Sequence, residues 1–435
     1  MKRTVWTLLL SVLCAVTLAA QDRPPDSLTV QEAVHWVLNH HPAVRQASEA
    51  VAASMARIDQ TRSGYYPKID AVASYVRLGP VAELSFPGLG VFKLFPENNY
   101  DGHVGLNQTL FDFGKRGATV DVNQSAVQGA SDNVELVKSS LAFQTIQTFY
   151  AILFLQASSR VQEEQVRALN EHLLITRRRV QSSTATEFDI LTTQVRVAAA
   201  QTQKIDVDNE LRKQEVQFRR LLGAPPETPL NLRGEFALSP VSLSSDSLLA
   251  AARQQRTELR LARDAEQTAS LQTRAASLND MPSLKIELAY GAKNGYIPNL
   301  DVLLGNWVAG ATLEVPLLDG GKTGSMKEEA EANARSAAEK TRDVQAQIEA
   351  EVLQAVADVQ ANRNKVETSD LQVQQAREAV SMASIRYENG VATNLDVIDA
   401  QTALAQAELL RLQALFHYVV SRYALERAAG GNLEY

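Results

Sequence analysis

The chain has 435 residues, and its 43 Lys and Arg stand against 50 Asp and Glu, for a formal net charge of −7 at pH 7. This acidic balance argues against nucleic acid as a partner, because binding to phosphates needs an excess of cations. The whole chain contains one cysteine, Cys14, which excludes an intramolecular disulfide framework.

Residues 1–20 have the pattern of a secretory signal peptide. Two basic residues precede an apolar stretch that ends at Leu18, and small residues follow it. This stretch is too short to span a membrane as a helix. We expect cleavage after Ala19 or Ala20, with export of the mature chain and loss of Cys14.

The rest of the sequence contains one long pattern twice. A spacing of about 200 residues is far longer than the 20 to 50 residues of solenoid repeats, so we expect two pseudo-symmetric halves. We predict a first repeat over 21–223, a linker over 224–242, a second repeat over 243–430 and a tail over 431–435. The matching residues include Leu28/Leu243, Arg45/Arg260, Pro67/Pro282, Tyr75/Tyr290, Leu110/Leu317, Asp112/Asp319, Gly114/Gly321, Thr186/Thr393 and Asp189/Asp396.

The first repeat begins with a helix over 29–64, which the capping box of Thr29 and Glu32 opens. A pair of strands over 67–78 and 103–112 follows. A loop rich in Gly, Pro and Asn joins them.

The second repeat predicts a helix over 246–278 and strands over 283–291 and 307–318. Apolar and polar residues alternate along both strands, as in strands of a membrane barrel. Each strand is near the 9 to 11 residues that a tilted spanning strand needs. On the third strand the residues of the apolar face are Leu284, Ile286, Leu288 and Tyr290.

Two long stretches, from about Arg116 to Gln181 and from about Ser325 to Glu388, contain no proline and only one glycine. Roughly 65 helical residues make a rod of about 100 Å. Valines recur every seven residues along the second rod, which indicates coiled-coil packing. We predict helical hairpins over 116–222 and 324–429. The valines are Val352, Val359, Val366, Val373 and Val380.

Each rod ends in a sharp reversal. In the second hairpin, Gly390 predicts the end of the rod, and Thr393 with Asp396 predicts the cap of the returning helix. In the first hairpin we assign the corresponding start to Thr184 and Glu187.

The segment Gly320-Gly321-Lys322-Thr323 has the ending of a phosphate-binding loop, but Pro316 stands where that motif has its first glycine. A strand-to-helix turn is favoured. The residues of the two turns are Gly114, Lys115, Gly321 and Lys322.

Four membrane strands cannot close into a barrel, and an open edge is not tolerated in hydrocarbon. Two chains would give eight strands with a filled interior, and three would give twelve with an aqueous lumen. A cyclic homotrimer therefore satisfies closure and leaves a pore.

Several motifs carry a resemblance to a known family. They are Tyr66-Pro67-Lys68-Ile69, Leu110-Phe111-Asp112-Phe113-Gly114-Lys115, Val315-Pro316-Leu317-Leu318-Asp319-Gly320-Gly321-Lys322 and Tyr387-Glu388-Asn389-Gly390 followed by Asp396-Val397-Ile398-Asp399-Ala400-Gln401. Together with the duplication, they resemble the TolC-like outer membrane efflux protein family, the outer membrane factor of tripartite efflux and type I secretion systems.

This resemblance implies a mostly α fold with a small β part. Long antiparallel coiled-coil hairpins would form an α-barrel tunnel, and four strands per chain would contribute to a twelve-stranded trimeric transmembrane β-barrel. It also implies a place in the outer membrane of a Gram-negative bacterium, with most of the chain in the periplasm. The implied partners are two further copies of the chain, a periplasmic adaptor protein, an inner-membrane transporter and outer membrane lipid.

The resemblance also assigns site residues. Asp396 and Asp399 match a ring of carboxylates at the tunnel aperture, where crowded like charges would select cations and raise one another's proton affinity. The plainer alternative is that Asp396 complements the helix dipole. Tyr387 and Asp189 match a latch at the tip, and Ala392 stands where that latch has an arginine.

Two other assignments remain open at this level. His35, His40 and His41 form a histidine cluster that fits an exposed helix face better than a metal site, because no cysteine or patterned carboxylate completes a ligand set. We expect no metal, no cofactor and no enzyme activity. The alternatives to a channel are a periplasmic coiled-coil scaffold without a pore and a nucleotide-dependent enzyme that uses Lys322.

Overall fold

The computed structural model describes residue 25 and residues 27–88, 90–239 and 243–431. The expected signal peptide, residues 1–20, and most of the expected tail lie outside the described residues. The helices are α1 (Val30–His40), α2 (Pro42–Arg62), α3 (Lys115–Gln181), α4 (Glu187–Leu222), α5 (Ser245–Gln255), α6 (Thr257–Ser277), α7 (Lys322–Glu388) and α8 (Asn394–Ala428). The strands are β1 (Lys68–Arg77), β2 (Glu83–Phe86), β3 (Gly90–Lys93), β4 (Asn98–Phe111), β5 (Ser283–Lys293) and β6 (Leu304–Glu314).

The two long helices are the dominant elements. Both α3 and α7 have 67 residues, so each is about 100 Å long at 1.5 Å per residue. The long rods that the sequence predicts are therefore confirmed. None of the described helices is both long enough and apolar enough to cross a membrane.

The chain divides into two units, and both long helices contribute to each. One unit comprises Ala43–Val137 and Ser245–Val352, and it holds the strands. The other comprises Met1–Pro42, Lys138–Ser244 and Leu353–Tyr435, and it holds both hairpin turns.

Four strands form one antiparallel sheet in the order β1-β4-β5-β6. In its register, apolar residues of neighbouring strands lie opposite one another. Leu106 pairs with both Ile69 and Leu288, and Leu288 pairs with Ala309. One face of the sheet is therefore apolar across all four strands. Two residues further along each strand, the same face carries Ala71, Val104, Tyr290 and Trp307, which also pair across the sheet.

Two strand ends differ most from the predicted ones. β4 begins at Asn98 rather than at residue 103, because the pairing with β1 continues to Arg77. β6 ends at Glu314 rather than at residue 318. The reason is Pro316, which has no N–H to donate to a ladder.

The loop between the first two predicted strands is not a plain loop. It contains the hairpin of β2 and β3, which form a separate two-stranded sheet. Gly88, in the connection, has φ +88°, a backbone conformation that glycine adopts without strain. The short apolar alternation on either side of this turn was hidden by the Gly and Pro content of the segment.

The unit that holds the hairpin turns has a core of large apolar side chains from several helices. Phe149 on α3 and Phe218 on α4 are fully buried, with ring centroids 6.1 Å apart. The seam valines Val359, Val366 and Val373 of α7 are buried as predicted. Coiled-coil packing explains why these positions recur every seven residues.

The linker after α4 packs along this core. Leu28 and Leu232 form a parallel β-bridge, and the hydroxyl of Tyr418 donates to the carbonyl of Ser239 at 2.8 Å. A Cβ atom at Gly234 would lie 3.0 Å from the ring of Phe149, so the linker backbone lies directly against α3.

Candidate functional site at the hairpin turns

Both hairpin turns lie in the same unit, and each uses a left-handed residue to end the long helix. Gly390 has φ +75° after α7, and Ser183 has φ +58° after α3. The amide N–H of Val391 donates to Arg386 O at 2.8 Å, and that of Thr184 donates to Arg179 O at 2.8 Å. These bonds satisfy carbonyls that the helix ends would otherwise leave without partners.

The returning helices begin with matching capping boxes. In α8, the Asp396 carboxylate accepts from the amide and the hydroxyl of Thr393 at 2.7 and 2.8 Å. In α4, Asp189 accepts from Thr186 in the same way at 2.9 and 2.7 Å. The start that the sequence assigned to Thr184 and Glu187 is therefore wrong by two residues, because α4 begins at Glu187 and its cap is Thr186.

Capping also fixes the charge state of Asp396. The hydrogen bond from the Thr393 backbone, followed by the one from its hydroxyl, lowers the pKa of this carboxyl below its ordinary value. A crowded ring of carboxylates would instead raise the pKa of Asp396, so within one chain the shift is opposite to the predicted one. Asp396 carries its negative charge at neutral pH in this setting.

Asp399 lies one turn further along α8 and takes no part in the cap. Its carboxylate is 3.8 Å from the Arg196 guanidinium of α4, and its side chain is 59% exposed. An exposed pair at this distance is screened by solvent and contributes little to stability. Asp399 therefore remains available to ions in the surrounding water.

A buried polar network joins the two hairpins. Asn394, the first residue of α8, accepts at Oδ1 from His172 Nε2 at 2.7 Å, and its amide donates to Thr193 Oγ1 at 3.1 Å. Asn394, His172 and Thr193 are all buried. Burial lowers the pKa of His172, so the ring is neutral at neutral pH. Sequence reasoning missed this network, although Asn394 lies four residues before Ile398 and so on the apolar face of α8.

Tyr387 is buried beside this network. Its ring centroid lies 5.1 Å from that of His172, and the Arg179 guanidinium lies 4.4 Å above the ring. Its hydroxyl is buried without a hydrogen-bond partner among the described residues. Arg179 also donates to the carbonyl of Glu388 at 3.3 Å, so a cation from α3 reaches the end of α7, just before the turn that contains Ala392. The latch between Tyr387 and Asp189 stays a prediction.

The strand-to-helix turns lie in the other unit, and an aspartate organises each. In the second turn, Asp319 accepts from the amides of Gly321 and Thr323 at 3.0 and 2.7 Å. In the first, Asp112 accepts from the Gly114 amide at 3.3 Å and pairs with the Arg116 side chain at 2.6 Å.

The glycines and lysines of these turns have separate roles. Gly114 and Gly321 have φ +88° and +86°, so they supply the left-handed conformation of the turn. Lys115 donates to the carbonyl of Asn279 at 2.9 Å. At Lys322 the backbone N–H lies 3.4 Å from Asp319 O.

The histidines at the N-terminal helix make packing contacts. His40 stacks on Trp36 with centroids 3.9 Å apart, and burial lowers the pKa of His41. In the part of the chain that the structure describes, no group of three or more His, Cys, Asp or Glu residues is placed to hold a metal ion.

A sheet that is apolar on one face, in a chain with helical hairpins of this length, defines the class of outer membrane channels with a helical tunnel. The sequence matches the profile of the family described as "Outer membrane efflux protein" over residues 33–224 and 248–431. The chain belongs to this outer membrane efflux protein family.

Individual relatives agree with this assignment. Protein CyaE of Bordetella pertussis is 25% identical over 383 residues, covering 87% of this chain and 78% of the relative. Outer membrane protein TolC of Escherichia coli K12 is 19% identical over 436 residues, covering 97% of this chain and 86% of TolC.

Solved structures show the same fold. The Campylobacter jejuni CmeC outer membrane channel superposes with a TM-score of 0.81 at 16% identity, covering 92% of this chain and 85% of CmeC. VceC of Vibrio cholerae gives a TM-score of 0.77 at 19% identity, covering 93% of this chain and 97% of VceC. The fold class predicted from the sequence is confirmed, and the scaffold without a pore is not favoured.

Proposed function

We propose that this chain is the passive exit duct of a tripartite efflux or secretion system. In this proposal it forms a homotrimer in the outer membrane, and a periplasmic adaptor with an inner-membrane transporter opens it at the hairpin turns. The transporter supplies the energy, and the duct itself catalyses no reaction.

The open edges of the sheet carry the proposal of a trimer. β1 and β6 are the outer strands of the four-stranded sheet, and they are ten and eleven residues long. An unpaired edge of that length in lipid leaves a row of backbone groups without hydrogen bonds. Pairing of β6 in one copy with β1 in the next satisfies both edges, and three copies give twelve strands.

Cysteine cross-linking tests this closure, since the chain after residue 20 contains no cysteine of its own. We expect Val72→Cys on β1 to form disulfide-linked dimers and trimers with one cysteine on β6. The β6 partners tested in turn are Val308→Cys, Gly310→Cys and Thr312→Cys, and the one that cross-links reports the register between copies. Val72→Cys with Ala289→Cys on the inner strand β5 is the control. Monomers in every combination, with no conductance in planar bilayers, would refute the trimeric channel.

Charge at the turns supports a cation-selective gate. Asp396 is ionised by its cap and Asp399 is exposed, so each of three copies would bring two carboxylates to the aperture. A ring of fixed negative charge attracts cations and repels anions.

Reversal potentials across a KCl gradient test the gate. We expect Asp399→Asn to reduce the preference for K⁺ over Cl⁻, and Arg196→Gln to increase it because the facing cation is removed. Asp396→Asn should act in the same direction as Asp399→Asn. Glu32→Gln, in the capping box of α1, is the control for loss of a capping carboxylate away from the hairpin turns. Equal selectivity in wild type, Asp396→Asn and Asp399→Asn would refute the cation-selective gate, but it would not contradict the proposal of a channel.

The proposed latch between Tyr387 and Asp189 has a separate test. The Tyr387 hydroxyl is buried and the Asp189 carboxylate serves its own cap, so a latch must be made across a neighbouring copy or in another state. We expect Tyr387→Phe to lengthen channel openings if the hydroxyl makes such a bond. Unaltered openings would leave Tyr387 with a packing role alone.

The absence of catalysis is supported by the start of α7. A phosphate would need the amides at this helix N-terminus, but the Asp319 carboxylate takes those of Gly321 and Thr323. We therefore expect no ATP binding by calorimetry. Binding that disappears in Lys322→Ala would support the nucleotide-dependent enzyme instead.

A further inference from the structure

The two hairpins differ at the first residue of the returning helix. The residue after the cap is Glu187 in α4, where it is exposed, and Asn394 in α8, where it is buried at 6% exposure. The capping boxes are otherwise alike in both hairpins. A buried polar residue is costly unless its hydrogen bonds are made, so its presence at one turn alone needs a reason.

Asn394 makes hydrogen bonds with all parts of its amide. Its Oδ1 accepts from His172 Nε2 at 2.7 Å and lies 3.2 Å from the Thr176 hydroxyl, both on α3. Its Nδ2 donates to the Asp189 carbonyl at 3.2 Å and to Thr193 Oγ1 at 3.1 Å, both on α4. Since Oδ1 can only accept, His172 carries its proton on Nε2.

The partners are arranged so that each hydroxyl has one consistent role. Thr193 donates its own proton to the Asp189 carbonyl at 2.7 Å, which leaves its lone pairs free to accept from Asn394. Thr176 donates to the His172 carbonyl at 3.0 Å. Both threonines are fully buried. Water cannot replace these bonds while the hairpins remain in contact, so breaking them carries a desolvation penalty.

The same histidine extends the contact to the end of α7. Its ring packs on Tyr387, the Arg179 guanidinium lies over the Tyr387 ring, and Arg179 donates to the carbonyl of Glu388. The last residues of α7 and the first residue of α8 are thus both held by α3. An apolar cluster also joins α3, α4 and α8, and its buried members are Leu169, Val197, Ala200 and Ile398.

We propose that Asn394 is the positioning residue that fixes the α7–α8 turn on the α3–α4 hairpin and so holds the aperture in its resting state. This inference rests on the proposed function, in which the channel opens at these turns. Apolar side chains can slide past one another, but hydrogen bonds weaken steeply when their geometry changes. The network therefore has two states, made and broken, and movement of the turn away from α3 breaks it.

Single-channel recording of the full-length protein in planar bilayers, without adaptor, tests the inference. We expect Asn394→Leu, which keeps the branched outline of the side chain and loses every side-chain hydrogen bond, to raise the open probability about tenfold or more. Glu187→Leu, the matched change at the exposed position of the other hairpin, should leave it unchanged. Electrophoresis of unheated samples reports whether each variant still assembles.

Two further variants keep the inference testable if Asn394→Leu does not assemble. Thr193→Val removes one partner, and its effect combined with Asn394→Leu should be less than additive because both act on one network. The pair Thr193→Cys and Asn394→Cys should hold the channel closed when oxidised and release it when reduced.

The outcomes separate the two proposals. If wild type conducts and Asn394→Leu opens no more often than Glu187→Leu, Asn394 has no positioning role and the inference is overturned. If neither wild type nor any of these variants conducts, the proposed function itself fails.

Discussion

A pair of carboxylates between α3 and α6 gives a specific prediction about pH. Asp132 is buried and accepts from the Arg260 guanidinium at 3.2 Å, while Asp264 Oδ2 is buried without a hydrogen-bond partner among the described residues. Burial, followed by the hydrogen bond and the negative charge of Asp132, raises the pKa of Asp264 from 3.8 to about 6. Asp264 is therefore charged at neutral pH at a cost to the folded state.

The sign of the effect follows from proton binding. An unfolded chain holds Asp264 at its ordinary pKa, so between about pH 4 and pH 6 the folded chain binds more protons. The free energy of unfolding therefore falls as pH rises through this window and stays low above it. In a dry site, a pKa raised this far would lower the free energy of unfolding above pH 6 by about 3 kcal/mol. Because Asp264 is partly exposed, we expect a loss of about 1 kcal/mol.

The perturbation is Asp264→Asn, which copies the protonated acid and can donate to Asp132. We expect a higher thermal unfolding midpoint than wild type at pH 7.5, measured by circular dichroism in detergent, and a difference that shrinks towards pH 4. Asp121→Asn is the control, because Asp121 lies on α3 with Asp132 and its contact with Arg274 is long, at 4.0 Å. A lower midpoint at pH 7.5, or a gain of equal size at pH 4, would show that the two carboxylates are not coupled as described.

Two other predictions concern packing. Arg256 is buried and pairs with Glu258 at 2.9 Å and Glu351 at 2.7 Å. Arg256→Met should therefore lower the free energy of unfolding by about 2 kcal/mol and lower the thermal midpoint. An unchanged midpoint would contradict this. At Gly291 an added Cβ would overlap the backbone oxygen of Gly102 on β4, so Gly291→Val should abolish the heat-modifiable trimer on gels. Gly310→Val, whose added Cβ meets nothing within 4 Å, should retain it. Equal behaviour of the two glycine variants would show that β4 and β5 do not approach this closely.

Regular patterns in the sequence predicted the regular parts of the fold. Four of the five valines that recur along α7 are buried, because a helix presents every seventh residue to the same neighbour, and Val366 is an example at 2% exposure. Val380 is only partly buried. The alternation along β5 and β6 predicted one apolar face because successive strand residues point to opposite sides. Local chemistry also placed the cap of Thr393 and Asp396 correctly.

The same local reasoning failed where competing signals were close together. Thr184 and Thr186 both offer a capping hydroxyl, and the structure uses Thr186 because Asp189 completes the box with it. The sequence predicts a loop where the structure has the hairpin of β2 and β3, since these strands are only four residues long and each lies next to glycine or proline.

The sequence by itself determined the periodic elements, the caps of α1 and α8 and the need for neighbouring copies to close the sheet, because each depends on spacing along the chain. Only the tertiary structure decided which distant side chains meet. Asn394 and His172 are 222 residues apart, and Asp132 and Asp264 lie on different helices, so no periodicity reveals their contact. Burial and hydrogen bonding then set the protonation of His172 and Asp264, and both depend on neighbours that only folding brings together.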